Sequence, residues 1–290
     1  MLEKALEKLS ITVECRNPSQ VANFIIKELM VAKATSGFLK VVLLGILAGI
    51  YIGFGCEIST LAGHDGAAFS GFGPTRILAG GVFSLGLMLV VIAGGELFTG
   101  NVLIVGSVLE GRVSKMDLIK NWVLVYFANF IGSVVLAFLV FYANTWQQND
   151  LLLGAYALKV GVAKVNLTFT EAFTRGILCN LLVCLAVWMS TASKNVIGKI
   201  FAIFFPIMAF IALGYEHCVA NMFYIPKAML LATKPEVLAI ANLDPEKLSH
   251  LNTLGFINNL FPATLGNIVG GAIFLAFFYW VAFVKEQDSK

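Results

Sequence analysis

Six stretches of this sequence carry no aspartate, glutamate, lysine or arginine: residues 41–56, 77–95, 121–149, 176–193, 200–215 and 251–284. An α-helix needs ~20 apolar residues to cross the hydrocarbon of a bilayer. Each stretch supplies such a run, the first by extending past Glu57 to about Leu61. Lipid offers no partners to backbone N–H and C=O groups, so runs this apolar fold as spanning helices. Only 13% of the 290 residues are charged, against about a quarter in a soluble domain. The fold class expected is an all-α membrane protein with six transmembrane helices.

The first 36 residues are charged and lack the continuous apolar core of a cleavable signal. Within them Val21, Phe24, Ile25 and Leu29 recur at helical spacing. That spacing predicts an amphipathic helix lying on the membrane surface or packed on a neighbouring subunit. The division expected is an N-terminal segment over 1–36, a membrane domain over 37–285 and a tail over 286–290. With both termini cytoplasmic, thirteen Lys and Arg residues fall on the inner side and six, including Lys227, in outer loops, leaving Arg175 in a span. The positive-inside rule therefore favours N-in and C-in, multi-pass, in a bacterial-type inner membrane. The five cysteines form no CxxC pair. They read as buried apolar thiols, so no metal and no cofactor is expected.

Two halves of the chain resemble each other. "GGELFTGNV" from Gly94 and "GYEHCVANM" from Gly214 both read G-x-E-x4-N, and "GILAG" at 45–49 matches "GILCN" at 176–180. Asn121, Asn129 and Gly132 share their spacing with Asn259, Asn267 and Gly270. Three matches in the same order define repeats over about 37–143 and 168–285. With three spans per half, the second enters the membrane from the opposite side, an inverted 3+3 repeat. The G-x-E-x4-N segments break the second and fifth helices.

A break inside a bilayer survives only in protein or beside a wet cavity. Gly94 and Gly214, with Gly95 and Gly100, let the backbone leave helical geometry. Glu96, Asn101, Glu216 and Asn221 are expected to cap the freed ends as structural elements. The halves differ where Thr99 follows Glu96 by three residues and His217 follows Glu216 directly. If the breaks face each other, a hydroxyl and an imidazole meet on a narrow path suited to a small anion. The competing reading of His217 is a core histidine satisfied by backbone. Phe83, Leu87, Leu97, Val183 and Phe210 stand ready as apolar constrictions, although each alone is equally at home as core packing. Lys164 would draw anions to the outer mouth. Arg175 has Glu171 four residues earlier, the spacing of a helical ion pair.

The segments "SLGLMLVVIAGGELFTGNVLIV", "KNWVLVYFANFIGS", "GILCNLLVCLAVWMS", "GYEHCVANMFYIP" and "NNLFPATLGNIVGG" resemble the formate/nitrite transporters, over about residues 40–285. The resemblance implies an aquaporin-like fold and a homopentamer with one pore per subunit. It puts the family's central histidine on His217, its threonine on Thr99, its pore asparagines on Asn180 and Asn221, and its mouth lysine on Lys164. Its constrictions fall on Phe83, Leu87, Leu97, Val183 and Phe210. It implies carriage of monovalent weak-acid anions, with formate first and nitrite, hydrosulfide, acetate or lactate as alternatives. Asn166, Leu167 and Arg175 depart from the formate branch.

The function expected is proton-linked transport of a small anion, with His217 as the proton donor. The partners expected are that anion, the lipid bilayer and further copies of the chain, with no nucleic acid. A membrane enzyme or electron carrier is disfavoured: a doubly ligated haem needs two intramembrane histidines, and only His217 lies in a span. A neutral-solute channel remains a rival, as does ion-coupled secondary transport.

Overall fold

The computed structural model describes residues 15–285, which are helical apart from turns and one isolated bridge between Cys15 and Ser193. Residues 1–14 and 286–290, the latter being the whole tail expected after the last span, lie outside the described part.

The chain opens with α1, an uninterrupted helix through Pro18–Phe24, Ile25–Leu29 and Met30–Ala34. A capping box starts it: Asn17 Oδ1 accepts the Gln20 N–H at 2.9 Å, and Gln20 Oε1 accepts the Asn17 N–H at 3.0 Å. Its apolar stripe (Val21, Ile25, Ile26, Met30) is buried against Leu103, Ile104, Trp188 and Leu275 of the same chain. The helix expected on the membrane surface or on a neighbouring subunit instead completes the core of its own chain. An apolar stripe of that width is satisfied by protein as readily as by lipid.

The first span is α2 (Phe38–Gly63). The second is α3 (Phe72–Gly94), followed after a break by α4 (Phe98–Leu109). The third is α5 (Lys115–Tyr142). A further helix, α6 (Leu152–Val165), precedes the fourth span, α7 (Phe169–Ala192). Next come two shorter apolar helices on either side of the second break, α8 (Val196–Ala212) and α9 (Cys218–Leu231). The last, α10 (Thr253–Lys285), is continuous. Side-chain caps begin the longer helices where the sequence supplies them. Ser114 accepts the Asp117 N–H, Thr168 the Glu171 N–H, Asn195 the Gly198 N–H and Asn252 the Gly255 N–H.

Small residues set the spacing of the spans. A Cβ on Gly132 of α5 would lie 1.9 Å from the Ile46 carbonyl oxygen of α2. One on Gly270 of α10 would lie 2.3 Å from the Ile177 carbonyl oxygen of α7. The pairs α2/α5 and α7/α10 thus approach backbone to backbone, as membrane helices do where small residues meet.

Two positions differ from the sequence reading. Lys227, expected in an outer loop, lies on α9 with only 1% of its surface exposed, paired with Glu57 of α2. Each charge makes the other tolerable inside the bundle. Helix α6 was not foreseen at all. Its tract, 152–165, is too short to span and contains Lys159 and Lys164, so it reads as an outer loop.

Running directions follow from two cavities. Leu44 near the start of α2 and Thr191 near the end of α7 line one, the Lys33 cavity. Ser59 and Thr60 near the end of α2 and Arg175 near the start of α7 line the other, the Lys164 cavity. Helices α2 and α7 therefore run in opposite senses between the cavities. Ala79 and Leu87, the nearest α3 residues of the two linings, place the cavities roughly 12 Å apart along that helix.

Candidate functional site

Gly94 ends α3 in the left-handed region (φ +101°), and Gly214 turns the chain after α8 in the same region (φ +75°). The chain then runs extended through Leu97 and through His217 before each half-helix begins. Backbone groups freed by these breaks are satisfied pairwise. The Glu96 N–H donates to the Leu44 carbonyl at 3.1 Å and the Glu216 N–H to the Arg175 carbonyl at 3.3 Å.

The remaining groups are held by Asn129 and Asn267, each fully buried. Asn129 Oδ1 accepts the Phe98 N–H at 2.9 Å, and its Nδ2 donates to the carbonyls of Gly45 and Glu96 at 2.8 Å. Asn267 does the same in the other half: Oδ1 accepts the Cys218 N–H, and Nδ2 donates to Gly176 and Glu216, all at 2.9 Å. An amide suits this work because one side chain offers acceptor and donors together. Glu96, Asn101, Glu216 and Asn221 were expected to cap these ends. Their side chains bond to each other instead.

They form two matching networks. Asn101 Nδ2 donates to Glu96 Oε2 (2.7 Å) and Asn121 Oδ1 (2.9 Å); Asn121 donates to the Lys33 carbonyl (3.1 Å), and Lys33 Nζ lies 2.9 Å from Glu96 Oε1. In the other half Asn221 Nδ2 donates to Glu216 Oε2 (2.6 Å) and Asn259 Oδ1 (2.7 Å). Asn259 donates to the Lys164 carbonyl (2.9 Å), and Lys164 Nζ lies 2.8 Å from Glu216 Oε1. Lys164 is therefore an ion-paired partner of Glu216 as well as a residue of the mouth, not a free cation. Lys33 is its counterpart, and α1 is the counterpart of α6. The correspondence extends beyond repeats drawn at 37–143 and 168–285. The sequence does carry a trace of it, since Val31-Ala32-Lys33 and Val162-Ala163-Lys164 are identical and lie 131 residues apart, the offset of the first- and fourth-span match. Asn121, Asn129, Asn259 and Asn267 had been visible as matched spacings, without their partners.

Between the cavities the polar pair expected from the sequence is assembled. Thr99 Oγ1 and His217 Nε2 lie 2.9 Å apart, both buried. His217 is also the N-cap of α9, its Nδ1 accepting the Ala220 N–H at 3.1 Å. A neutral ring with Nδ1 so engaged carries its proton on Nε2 and donates it to Thr99 Oγ1, leaving the threonine hydroxyl proton free for a third partner. His217 follows Glu216 as Leu97 follows Glu96, and Thr99 stands where the other half has Val219. The pair thus joins two different positions of the repeat.

Apolar side chains close around it. Phe83, Leu87, Leu97, Val183 and Phe210 are all buried in one cluster. The Phe83 and Phe210 rings meet edge to face at 5.4 Å, and Phe210 lies 5.9 Å from the imidazole. Leu87 and Leu97 also line the Lys33 cavity, which has a volume of about 340 Å³. The Lys164 cavity measures about 250 Å³ and ends at Glu216.

Asn180 and Asn221 do not present their amides as a pair. Asn180 Nδ2 donates to the carbonyls of Thr99 (3.2 Å) and Asn267 (2.6 Å), which places it behind Thr99 as a brace. Asn221 belongs to the Glu216 network. Arg175 makes only a long contact of 3.8 Å with Glu171, whose other oxygen serves the capping box with Thr168. Asn166, at the end of α6, accepts from His250 Nδ1 through Oδ1 at 2.7 Å, and its Nδ2 donates to the Lys247 carbonyl. Arg76, not singled out in the sequence, donates from Nε and Nη2 to the Ala212 and Ile211 carbonyls that end α8. Among the described residues no group of His, Cys, Asp and Glu side chains is arranged to hold a metal ion.

The family model described as formate/nitrite transporter matches residues 20–281. The chain is 38% identical over 267 residues to the formate channel FocA of Escherichia coli strain K12, covering 91% of this chain and 93% of that one. It is 42% identical over 263 residues to a probable formate transporter of Methanothermobacter thermautotrophicus, covering 85% and 90%. Among solved structures it resembles a pentameric formate channel with formate bound, with a TM-score of 0.76 at 39% identity over 85% of this chain and 98% of that one. An FNT family ion channel aligns with a TM-score of 0.71 at 28% identity over 92% and 95%.

Proposed function

The chain belongs to the formate/nitrite transporter family, and we propose that it carries formate across a membrane, as a pentamer with one pathway in each subunit. The protein is a transporter, not an enzyme. It sits in the inner membrane with both termini cytoplasmic, so the Lys33 cavity opens inward and the Lys164 cavity outward. The two halves form an inverted repeat around the slit.

The observation that carries this reading is the buried Thr99–His217 pair, set between two cavities and enclosed by Phe83, Leu87, Leu97, Val183 and Phe210. A bare anion entering such a slit loses hydration worth many times the ~1 kcal/mol that one hydrogen bond returns. Formate therefore takes up a proton in the wet cavity and crosses as the neutral acid, its carbonyl oxygen accepting from the free Thr99 hydroxyl. His217 orients that hydroxyl. Its Nε2–H is held on Thr99 and its Nδ1 on Ala220, so the transferred proton comes from solvent and not from the ring.

Formate uptake into proteoliposomes, measured from pH 5 to pH 8, tests the proposal. Uptake should exceed that of empty vesicles and rise as pH falls, because the neutral acid grows more abundant. His217→Phe should slow it while the pH slope persists. Uptake no faster than in empty vesicles, or passage of urea and glycerol as fast as formate, overturns the reading. Loss of the pH slope in His217→Phe returns the proton to the histidine.

A further inference from the structure

The Lys164 cavity is lined by three cationic side chains, Arg76, Lys164 and Arg175, and by one carboxylate, Glu216. These cations are not equivalent. Lys164 is committed to Glu216 at 2.8 Å. Arg76 spends Nε and Nη2 on the carbonyls at the end of α8, where its charge also answers the helix dipole. Arg175 is the one left with donors to spare. Its acidic neighbour Glu171 reaches only to 3.8 Å, and Glu171 Oε2 is occupied by the Thr168 N–H and hydroxyl. The side chain of Arg175 is 41% exposed.

Both arginines are tied to the second break. The Arg175 carbonyl accepts the Glu216 N–H, and Arg76 Nη2 lies 3.4 Å from where a Cβ on Gly214 would stand. Both arginines line the one cavity that Glu216 and Gly214 also line. The Lys33 cavity has Lys33 and Lys40 against Glu96, and no arginine. A guanidinium offers two parallel N–H donors to a carboxylate, a geometry an ammonium cannot supply.

We propose that Arg175 is the principal ligand of an anion-capture site in the Lys164 cavity, where one small carboxylate is held before it enters the slit. The inference rests on the formate reading for the identity of its ligand. The site fills from one side of the membrane only, because its counterpart cavity lacks the arginine. The two-sided chain therefore loads more readily from the Lys164 side at low substrate concentration. Salt weakens this preference, since the guanidinium is in contact with solvent.

Two measurements test it, one of binding and one of transport. In nanodiscs of the full chain, phenylglyoxal modifies exposed arginines, and peptide mass spectrometry locates them. Saturating sodium formate should slow modification of Arg175 by about fivefold, as occupancy shields it, and leave the exposed Arg112 unaffected. In proteoliposomes at low ionic strength, Arg175→Gln should raise the half-saturating formate concentration about five- to tenfold, the effect of removing one nearby charge, with the maximal rate changed less than about twofold. Arg175→Lys should recover only part of the loss. The footprint uses the unaltered protein and reads binding without transport, so it stands even if formate is not the cargo or a variant fails to fold. Equal modification of Arg175 with and without formate overturns the capture site, as does an unchanged half-saturation in Arg175→Gln. Failure of the transport reading is seen separately, in unaltered vesicles that take up no formate.

Discussion

Replacing Asn129 with leucine should damage the protein far more than any ordinary buried isostere. Leucine matches asparagine in shape, so little cavity or overlap is introduced. The change instead removes an acceptor from the Phe98 N–H and a donor from the Glu96 carbonyl, both held at 2.8–2.9 Å beside the first break. Neither group has a helical partner to fall back on, because the break separates them from the turns that would supply one. Each buried group left unsatisfied costs about 1–3 kcal/mol, so the pair should cost roughly 2–6 kcal/mol. A central value near 4 kcal/mol is about a thousandfold in the folding equilibrium. The Gly45 carbonyl also loses the Asn129 donor, but it lies within α2. Thermal unfolding of the detergent-solubilised protein, followed by aggregation-sensitive chromatography, measures the stability, and formate uptake reports the site, since Thr99 is one residue beyond Phe98. Asn267→Leu provides a twin experiment: the same three bonds are broken in the other half, so the two costs should agree within about 1 kcal/mol. If Asn129→Leu melts like the unaltered protein and transports at the normal rate, the account of how the breaks are stabilised is refuted.

Three more outcomes are expected. Thr99→Val keeps the shape but leaves the His217 Nε2–H without an acceptor. Uptake should fall at least about tenfold and stability by about 1–3 kcal/mol, whereas Thr99→Ser should retain most activity in the same assay. Lys164→Met and Glu216→Gln each strand one member of a pair whose side chains are only 14% and 5% exposed. Each single change should cost about 3 kcal/mol and the double change markedly less, as a double-mutant cycle of melting temperatures will show. Gly132→Ala forces a methyl to within 1.9 Å of the Ile46 carbonyl and should abolish the folded protein or its pentamer on size-exclusion chromatography. Gly73→Ala, with nothing within 4 Å of the added Cβ, should be silent.

The most legible features of this sequence were those that lipid enforces. Charge-free length marked the spans, because a bilayer admits no other use of such runs. The two breaks were visible as glycines beside glutamates, and their faithful repetition located the polar pair. Thr99 and His217 did prove to be neighbours across the slit. The residues expected at the constrictions are buried together in one apolar cluster. What escaped were the partners. The asparagine spacings in the third and sixth spans were plain, yet the sequence contains nothing to say that Asn129 and Asn267 hold the backbone while Asn101 and Asn221 hold carboxylates.

By itself, then, the chain's order of residues determined that long apolar helices form, where two helices break and which polar groups stand at the breaks. Each of those is a local matter of hydropathy and backbone conformation. Only the tertiary structure decided that Lys33 reaches Glu96, that Lys164 is already paired, that Lys227 lies inside the bundle with Glu57, and that Arg175 keeps its guanidinium for the cavity. A charge acts over the few ångströms to its partner, and that separation is set by how helices pack, not by their distance along the chain.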